Sequence, residues 1–427
     1  MKIFQPNIII IMYMFQKEEF IMKKIISMLL AFALIFSFSA LTVSSTAAQA
    51  NNANEAEAVL KFGEDGKFRI MQITDIQDGP FLEYATMQFL KDVVEAEKPD
   101  LIVLTGDNIS GGSSPTKLLA KIAISRYMSI FEEAGIPVAM VYGNHDSEGP
   151  ADKEYQMEVY ESFDCFVGCE GEDLTGCGNY YLPIYDAKGE EMLYNLWMFD
   201  SLTYNRHPED ENDVAYYENN LEGYACVHKD QIDWYVRESN KLKEANGGEV
   251  VPSMVFQHIV VPEIYDVLVK DAKGNWALPE DSTGVLGEDP CPPHYSNGQF
   301  DAMVAQGDVV AMFFGHDHKN DFIVNHKGID LSTTPGVGFS SYGNIDRGVR
   351  IIELDEKDLS TYKTEVIKWV DFYDVKNDDM AEINFILHAN EYSFGVKLLA
   401  FAKLMVSSMT PAILKTLELT AKVFKSI

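Results

Sequence analysis

Five short segments of this chain carry side chains able to hold and polarise a charged ligand. They are Asp75-Ile76-Gln77, Gly106-Asp107-Asn108, Gly143-Asn144-His145-Asp146, Gln257-His258 and Gly315-His316-Asp317-His318. Each follows an apolar, β-type run. An Asp after a strand is ordinarily a helix cap, and Gly-Asn or Gly-Asp is an ordinary turn pair, so no segment means much alone. Together they form an ordered set of carboxylate, amide and imidazole donors. That mixture suits Mn, Fe or Zn better than Ca or Mg. In α/β sheets ligands gather outside the carboxyl ends of the strands, so polar residues recurring there are expected to converge on one crevice.

The elements that would position them alternate in the α/β rhythm. Strands are predicted over Phe68–Thr74, Leu101–Thr105, Val138–Tyr142, Met254–Gln257, Val309–Phe314, Phe322–Val324 and Val349–Leu354. Helices are predicted over Tyr84–Glu97, Lys117–Glu133 and Asp230–Lys243, and Val261–Asn297 reads as a turn-rich excursion and a candidate lid.

The flanks have a different character. Met22-Lys23-Lys24, the uncharged apolar run Ile25–Leu41 and Ala48-Gln49-Ala50 together read as a secretory signal peptide over residues 1–50, with Met22 as the expected start of translation. An uncleaved membrane anchor is the rival reading of the same run. The expected product is secreted or held at the cell surface. Residues 51–65 read as an acidic linker, 66–372 as the main domain, and 380–427 as a helical extension. The stretch from Phe394 to Ile427 is apolar with spaced lysines and is expected to contact either a membrane surface or the domain itself.

The charge balance argues against a nucleic-acid partner. Thirty-four Lys and Arg face 66 Asp and Glu, a net charge of −32. Removing residues 1–50 takes away four Lys and two Glu and leaves −34. No basic stripe interrupts the acidic field. Of five cysteines, Cys165, Cys169 and Cys177 lie within thirteen residues, the spacing of a disulfide-stapled loop in an exported chain, with a structural zinc as the weaker alternative.

The ordered motifs resemble those of the calcineurin-like metallophosphoesterases, over about residues 66–355. The branch is similar to purple-acid-phosphatase-like proteins of plants and fungi, in which Gln stands in the first motif. His258-Ile259-Val260-Val261-Pro262-Glu263, Asp230-Gln231-Ile232-Asp233-Trp234, Tyr342-Gly343 and Arg347-Gly348-Val349-Arg350 add to the likeness. The resemblance implies a four-layer β-sandwich flanked by helices and two divalent or trivalent metal ions, Mn, Fe or Zn. One would be held by Asp75, Gln77, Asp107 and His318, the other by Asp107, Asn144, His258 and His316. It further implies hydrolysis of phosphate monoesters or diesters by a metal-bridging hydroxide, with His145 as general acid.

Asn108, Asp146, His294 and Arg347 are expected next to substrate or behind the ligands, and Arg347 and Arg350 are read as carboxylate partners in this acidic protein, with contact to substrate phosphate as the alternative. Two departures stand out. Gln77 offers an amide oxygen where the family more often has imidazole, and the tyrosine that colours purple acid phosphatases is absent, since Asn108, Ile109, Ser110 and Gly111 follow Asp107. A nuclease, a phosphoprotein phosphatase and a non-catalytic metal-dependent binding module are the alternatives.

Overall fold

The structure, a computed structural model, describes residues 60–80, 84–204 and 223–373. The expected signal peptide, the C-terminal extension with its membrane-contact stretch 394–427, and most of the linker lie outside the described residues. In chain order the strands are β1 (Lys67–Ile73), β2 (Leu101–Thr105), β3 (Val138–Val141), β4 (Tyr180–Tyr185), β5 (Met192–Met198), β6 (Ser253–Phe256), β7 (Val269–Lys270), β8 (Trp276–Ala277), β9 (Val309–Phe314), β10 (Ile323–His326), β11 (Ile329–Thr333), β12 (Gly348–Asp355) and β13 (Asp358–Lys368). The helices are α1 (Tyr84–Glu97), α2 (Lys117–Ala134), α3 (Lys153–Tyr160), α4 (Lys229–Ala245), α5 (Gln299–Gln306) and the single turn α6 (Trp369–Phe372).

Two sheets stack face to face. The first has the order β13-β12-β1-β2-β3 and the second β10-β11-β9-β6-β5-β4. Strands β1, β2 and β3 run parallel, as do β5, β6, β9 and β11. Period-two alternation sends each buried strand to two cores. Phe68, Ile70, Leu101, Val103, Ala139 and Val141 meet Met254, Phe256, Ala311 and Phe313 between the sheets. Their neighbours Met71, Ile73, Ile102, Leu104 and Met140 pack against α1, α2 and α3. Val255, Met312 and Phe314 pack against α4 and α5. The result is the expected four-layer α/β sandwich.

Local chemistry sets the elements. Helix α2 starts where the Thr116 hydroxyl accepts from the Leu119 amide at 3.2 Å and stops at Gly135, whose φ of 69° ends the helical path. It buries Ala120, Ala123, Ile124, Tyr127, Met128 and Phe131, the three-and-four spacing of one helical face. Strand β4 carries Pro183 and has β5 as its one neighbouring strand, because an edge position tolerates a missing donor.

Several expectations need correction. Leu60 and Phe62, placed in the linker, are buried in the inter-sheet core, and the Phe62 amide donates to the Tyr185 carbonyl at 2.9 Å. Strands β4, β5, β11 and β13 were not predicted. Cys165 and Cys177 keep free thiols, which burial pushes up to about 11 and about 12, so they form no disulfide staple. Among the described residues no cysteine belongs to a group able to hold a metal. The Val261–Asn297 excursion is pinned down rather than free. Its Val285, Gly287 and Cys291 amides donate to Asp321, Asn320 and Asp317, the polar residues that follow His316. Among the described residues, no helix is long and apolar enough to cross a membrane.

Candidate metal centre

Because the parallel strands of both sheets point the same way, the loops after β1, β2, β3, β6 and β9 meet at one edge of the sandwich. A polar seam joins the sheets beneath them. The Gln72 amide donates to Thr105 Oγ1 at 2.9 Å and to the Phe314 carbonyl at 3.2 Å, and His258 Nδ1 lies 2.9 Å from the Thr105 carbonyl. Further bonds run from the Asp75 amide to Gly106 and from the Gln77 amide to Asp107. These fix the loops in conformations that ordinary side chains avoid. Seven non-glycine residues among those described have positive φ, and four belong to the site: Asp75 at 53°, Gln77 at 43°, Asp107 at 49° and His316 at 71°. Each such residue costs of order 1–3 kcal/mol, and that cost concentrated at one edge marks a functional constraint.

Two buried groups result. Asp107, His258 and His316 bring ligand atoms within 4.8 Å of one another, and so do Asp75, Asp107 and His318. Asp107 belongs to both. His258 Nε2 lies 3.3 Å from Asp107 Oδ2, and His318 Nε2 lies 3.1 Å from Asp75 Oδ1. His316 and His318 fall in different groups, and the positive φ of His316 makes the segment between them a turn. His318 is aimed from behind by Ser341 Oγ and the Tyr342 carbonyl, 3.0 and 2.8 Å from its Nδ1.

Gln77 and Asn144 complete the set in a different manner. Gln77 Oε1 and both polar side-chain atoms of Asn144 are buried with no hydrogen-bond partner, while Asp75 Oδ1 and His258 Nε2 have only the His318 and Asp107 contacts just given. An unpartnered buried polar atom costs about 1–3 kcal/mol, and Gln77 and Asn144 lie on two of the strand-end loops that build this site. A cation there would satisfy them together, so the residues present fit the expected metal ions.

The electrostatics show the same demand. Burial pushes the Asp75 carboxyl up, but His318 and His258 outweigh it and hold it well below the usual range. Burial likewise opposes Asp107, which His258 keeps low. In return, and against its own burial, His258 is pushed up to about 10 by Asp107 and Asp75. His318 rises against its burial beside Asp75, while burial and charged His258 press His316 down to about 3. Metal ligation needs these imidazoles neutral, so an entering cation must displace the proton from His258. Since His258 holds its proton up to about pH 10, metal affinity is expected to rise with pH across the neutral range, by about tenfold per pH unit for each proton displaced. Zn titrations at pH 6, 7 and 8 check this, and a flat affinity would contradict it.

His145 is not part of either group. Its side chain is 35% exposed, with Nε2 4.0 Å from Asp107 Oδ2 and Nδ1 2.9 Å from Glu148 Oε1. Its amide donates to Asp107 Oδ1 at 2.7 Å, which places the ring at the mouth of the site. Asp146 stands behind the ligands and joins two loops by accepting from the Gly143 and Ile109 amides at 2.7 and 2.9 Å. Burial, then Asp107, push its carboxyl up to about 7. Asn108 is buried and donates to the Val141 carbonyl at 2.9 Å. His294 is exposed on the excursion, its ring beside Gly223.

Arg347 and Arg350 both donate to backbone carbonyls. Arg347 is 1% exposed and donates to the Gly338 and Ser341 carbonyls, bracing the loop that aims His318 rather than reaching substrate. Arg350 bonds the Thr333 and Asp321 carbonyls. Sequence reasoning missed three neighbours. Tyr342 stacks on His318 with ring centres 4.1 Å apart, Tyr224 meets His316 edge-on at 4.6 Å, and Glu148 holds His145. Of the three, only Glu148, three residues after His145, lies close enough to a motif to have been signalled by it.

Glycine is required where the loops touch. Gly106 has φ 87°, and a Cβ there would lie 2.6 Å from the His258 ring. Gly106→Ala is expected to displace His258, cost about 1–3 kcal/mol of stability and lower bound metal. Thermal unfolding and metal analysis of the variant measure both effects.

Comparison with known proteins places this geometry. The family model described as calcineurin-like phosphoesterase matches residues 68–320. A protein of Arabidopsis thaliana named probable inactive purple acid phosphatase 14 is 28% identical over 332 residues, covering 69% of this chain and 77% of the relative. Phosphatase DCR2 of Saccharomyces cerevisiae is 28% identical over 348 residues, covering 70% of this chain and 54% of that protein. Among solved structures, a dimetal phosphatase from Danio rerio superposes with a TM-score of 0.47 at 14% identity, covering 71% of this chain and 99% of that one. The family match spans the five strand-end loops from Asp75 to His318, and this chain therefore belongs to the calcineurin-like phosphoesterase family.

Proposed function

We propose that this protein is an exported hydrolase of phosphate esters that works with two metal ions. The observation that carries the reading is the pair of buried ligand groups sharing Asp107, with the unpartnered Gln77 amide oxygen and Asn144 amide buried on adjoining strand-end loops. Asp75, Gln77, Asp107 and His318 would hold one ion, and Asp107, Asn144, His258 and His316 the other, with Mn, Fe or Zn best matched to the donors. When bound, such ions supply Lewis-acid polarisation of the phosphoryl oxygens and a hydroxide nucleophile at neutral pH.

The protein's own part is orientation and proton transfer. Asp107, whose Oδ1 already accepts from the His145 amide, fixes His145 beside the place where a phosphoryl group would sit. As the bond from phosphorus to the leaving oxygen breaks, its electron pair stays on that oxygen and His145 Nε2 delivers the proton. Export rests on the segment from Met22 to Ala50. The acidic surface disfavours a nuclease, which needs a basic track. Turnover of a nitrophenyl phosphate monoester against its bis-ester, with Mn, Fe and Zn restored singly to stripped protein, chooses between phosphatase and phosphodiesterase. A phosphoprotein substrate would show as turnover of phosphopeptides that exceeds both.

The name of the Arabidopsis relative favours a second reading, a metal-holding module without turnover. Retention of Asp107 and of His145 at the site mouth favours catalysis.

A further inference from the structure

The turn after β3 carries a pair that the ligand motifs do not explain. His145 Nδ1 lies 2.9 Å from Glu148 Oε1, with both side chains partly exposed, at 35% and 39%. The backbone that carries the pair is held on two sides. The Glu148 and Gly111 amides both donate to the His145 carbonyl, at 3.3 and 3.1 Å. Gly112 lies against the glutamate, since a Cβ there would be 3.4 Å from Glu148 Oε2. Gly111 is what lets the loop after β2 pass close under this turn, since a Cβ there would lie 2.5 Å from the Asp146 carbonyl oxygen and 2.9 Å from the Glu148 amide nitrogen.

We propose that Glu148 is a positioning residue for proton delivery by His145. The inference rests on the reading of His145 as the general acid. A carboxylate offers only acceptors, so the imidazole must present a proton at Nδ1 to bond it. That fixes which nitrogen is left to act. Nε2 then faces the ligands, 4.0 Å from Asp107 Oδ2, and is the atom whose proton can reach a departing oxygen. A half-exposed histidine without such an anchor would spread over several rotamers and lose the productive one much of the time. In the step itself, Nε2 gives its proton to the leaving oxygen as the phosphorus–oxygen bond breaks. The Nδ1 proton stays on the bond to Glu148 throughout. An exposed ion pair of this kind contributes little to folding, so its function can be tested separately from stability.

The test uses the metal-loaded full chain, with phenyl phosphate and 2,4-dinitrophenyl phosphate as substrates. Phenoxide needs a proton to leave and dinitrophenoxide does not. Glu148→Ala is expected to lower kcat on phenyl phosphate about tenfold and on the dinitrophenyl ester by no more than about threefold. Glu148→Gln, whose amide oxygen still accepts from Nδ1, should restore most of the loss. Equal losses on the two esters, or none, would overturn the positioning role while leaving the acid in place, provided His145→Ala is itself selective for phenyl phosphate. If His145→Ala is unselective, or the wild type turns over neither ester, the reading beneath falls and the inference with it.

Discussion

Asp107→Asn is expected to lower metal-dependent ester hydrolysis by about 10³-fold, the equivalent of the several kcal/mol that two-metal charge stabilisation supplies. Asp107 is the only residue common to both buried groups, and it is 1% exposed with His258 Nε2 3.3 Å from its Oδ2. The amide keeps the shape of the carboxylate and can still accept from the His145 amide, so the loops should stay in place. What disappears is the negative charge. With two cations held as proposed, the Asp107 carboxylate would supply the negative charge common to both ligand groups, and a neutral amide would leave the ions repelling one another. Metal analysis should therefore fall from two ions per chain toward one, with thermal stability in the metal-free state little changed. Retention of both ions and of turnover would remove Asp107 from the role of bridge.

His145→Ala is expected to lower turnover of esters with poor leaving groups by about 10²–10⁴-fold, the usual contribution of a general acid. Bound metal should not change, because the His145 side chain belongs to neither ligand group and is 35% exposed. Small activators should separate this loss from that of Asp107→Asn. Imidazole supplied in solution can return a proton donor to the cavity left at the mouth, whereas nothing small replaces a bridging carboxylate. Metal analysis and rescue by imidazole together distinguish the two variants. Loss of metal from His145→Ala would instead make this histidine a ligand.

The positions of Asp75, Asp107, Asn144, His258 and His316 were legible because all follow strands buried on both faces, such as Leu101–Thr105 and Val309–Phe314. Continuous apolar runs of this kind betray themselves, and the edge at which parallel strands end is fixed by topology. Strand β13 was not legible. It lies at the edge of its sheet with alternating exposed and half-buried residues, so its polar face hides its period. Strand β4 was obscured by Pro183, which reads as a break unless the edge position is known.

The supporting residues were hidden for a different reason. Tyr342 stacks on His318 and Tyr224 meets His316 edge-on, both from loops distant in sequence, a relation that no local pattern encodes. Asp317, Asn320 and Asp321 look like further ligands by type, yet they accept backbone amides of the excursion at residues 285–291. Arg347 looks like a phosphate-binding group and is instead consumed by carbonyls of its own neighbouring loop. Residue type announces what a side chain can do, and only packing decides which partner it meets.

The most direct test is a metal titration of the stripped protein in which bound metal and turnover of a nitrophenyl phosphate ester are read in the same samples. Hydrolysis that appears as metal fills the site and levels off at two ions per chain is the predicted result. A folded protein that takes up two ions and hydrolyses neither the monoester nor the diester would contradict the account, and would make this chain a metal-holding module rather than an enzyme.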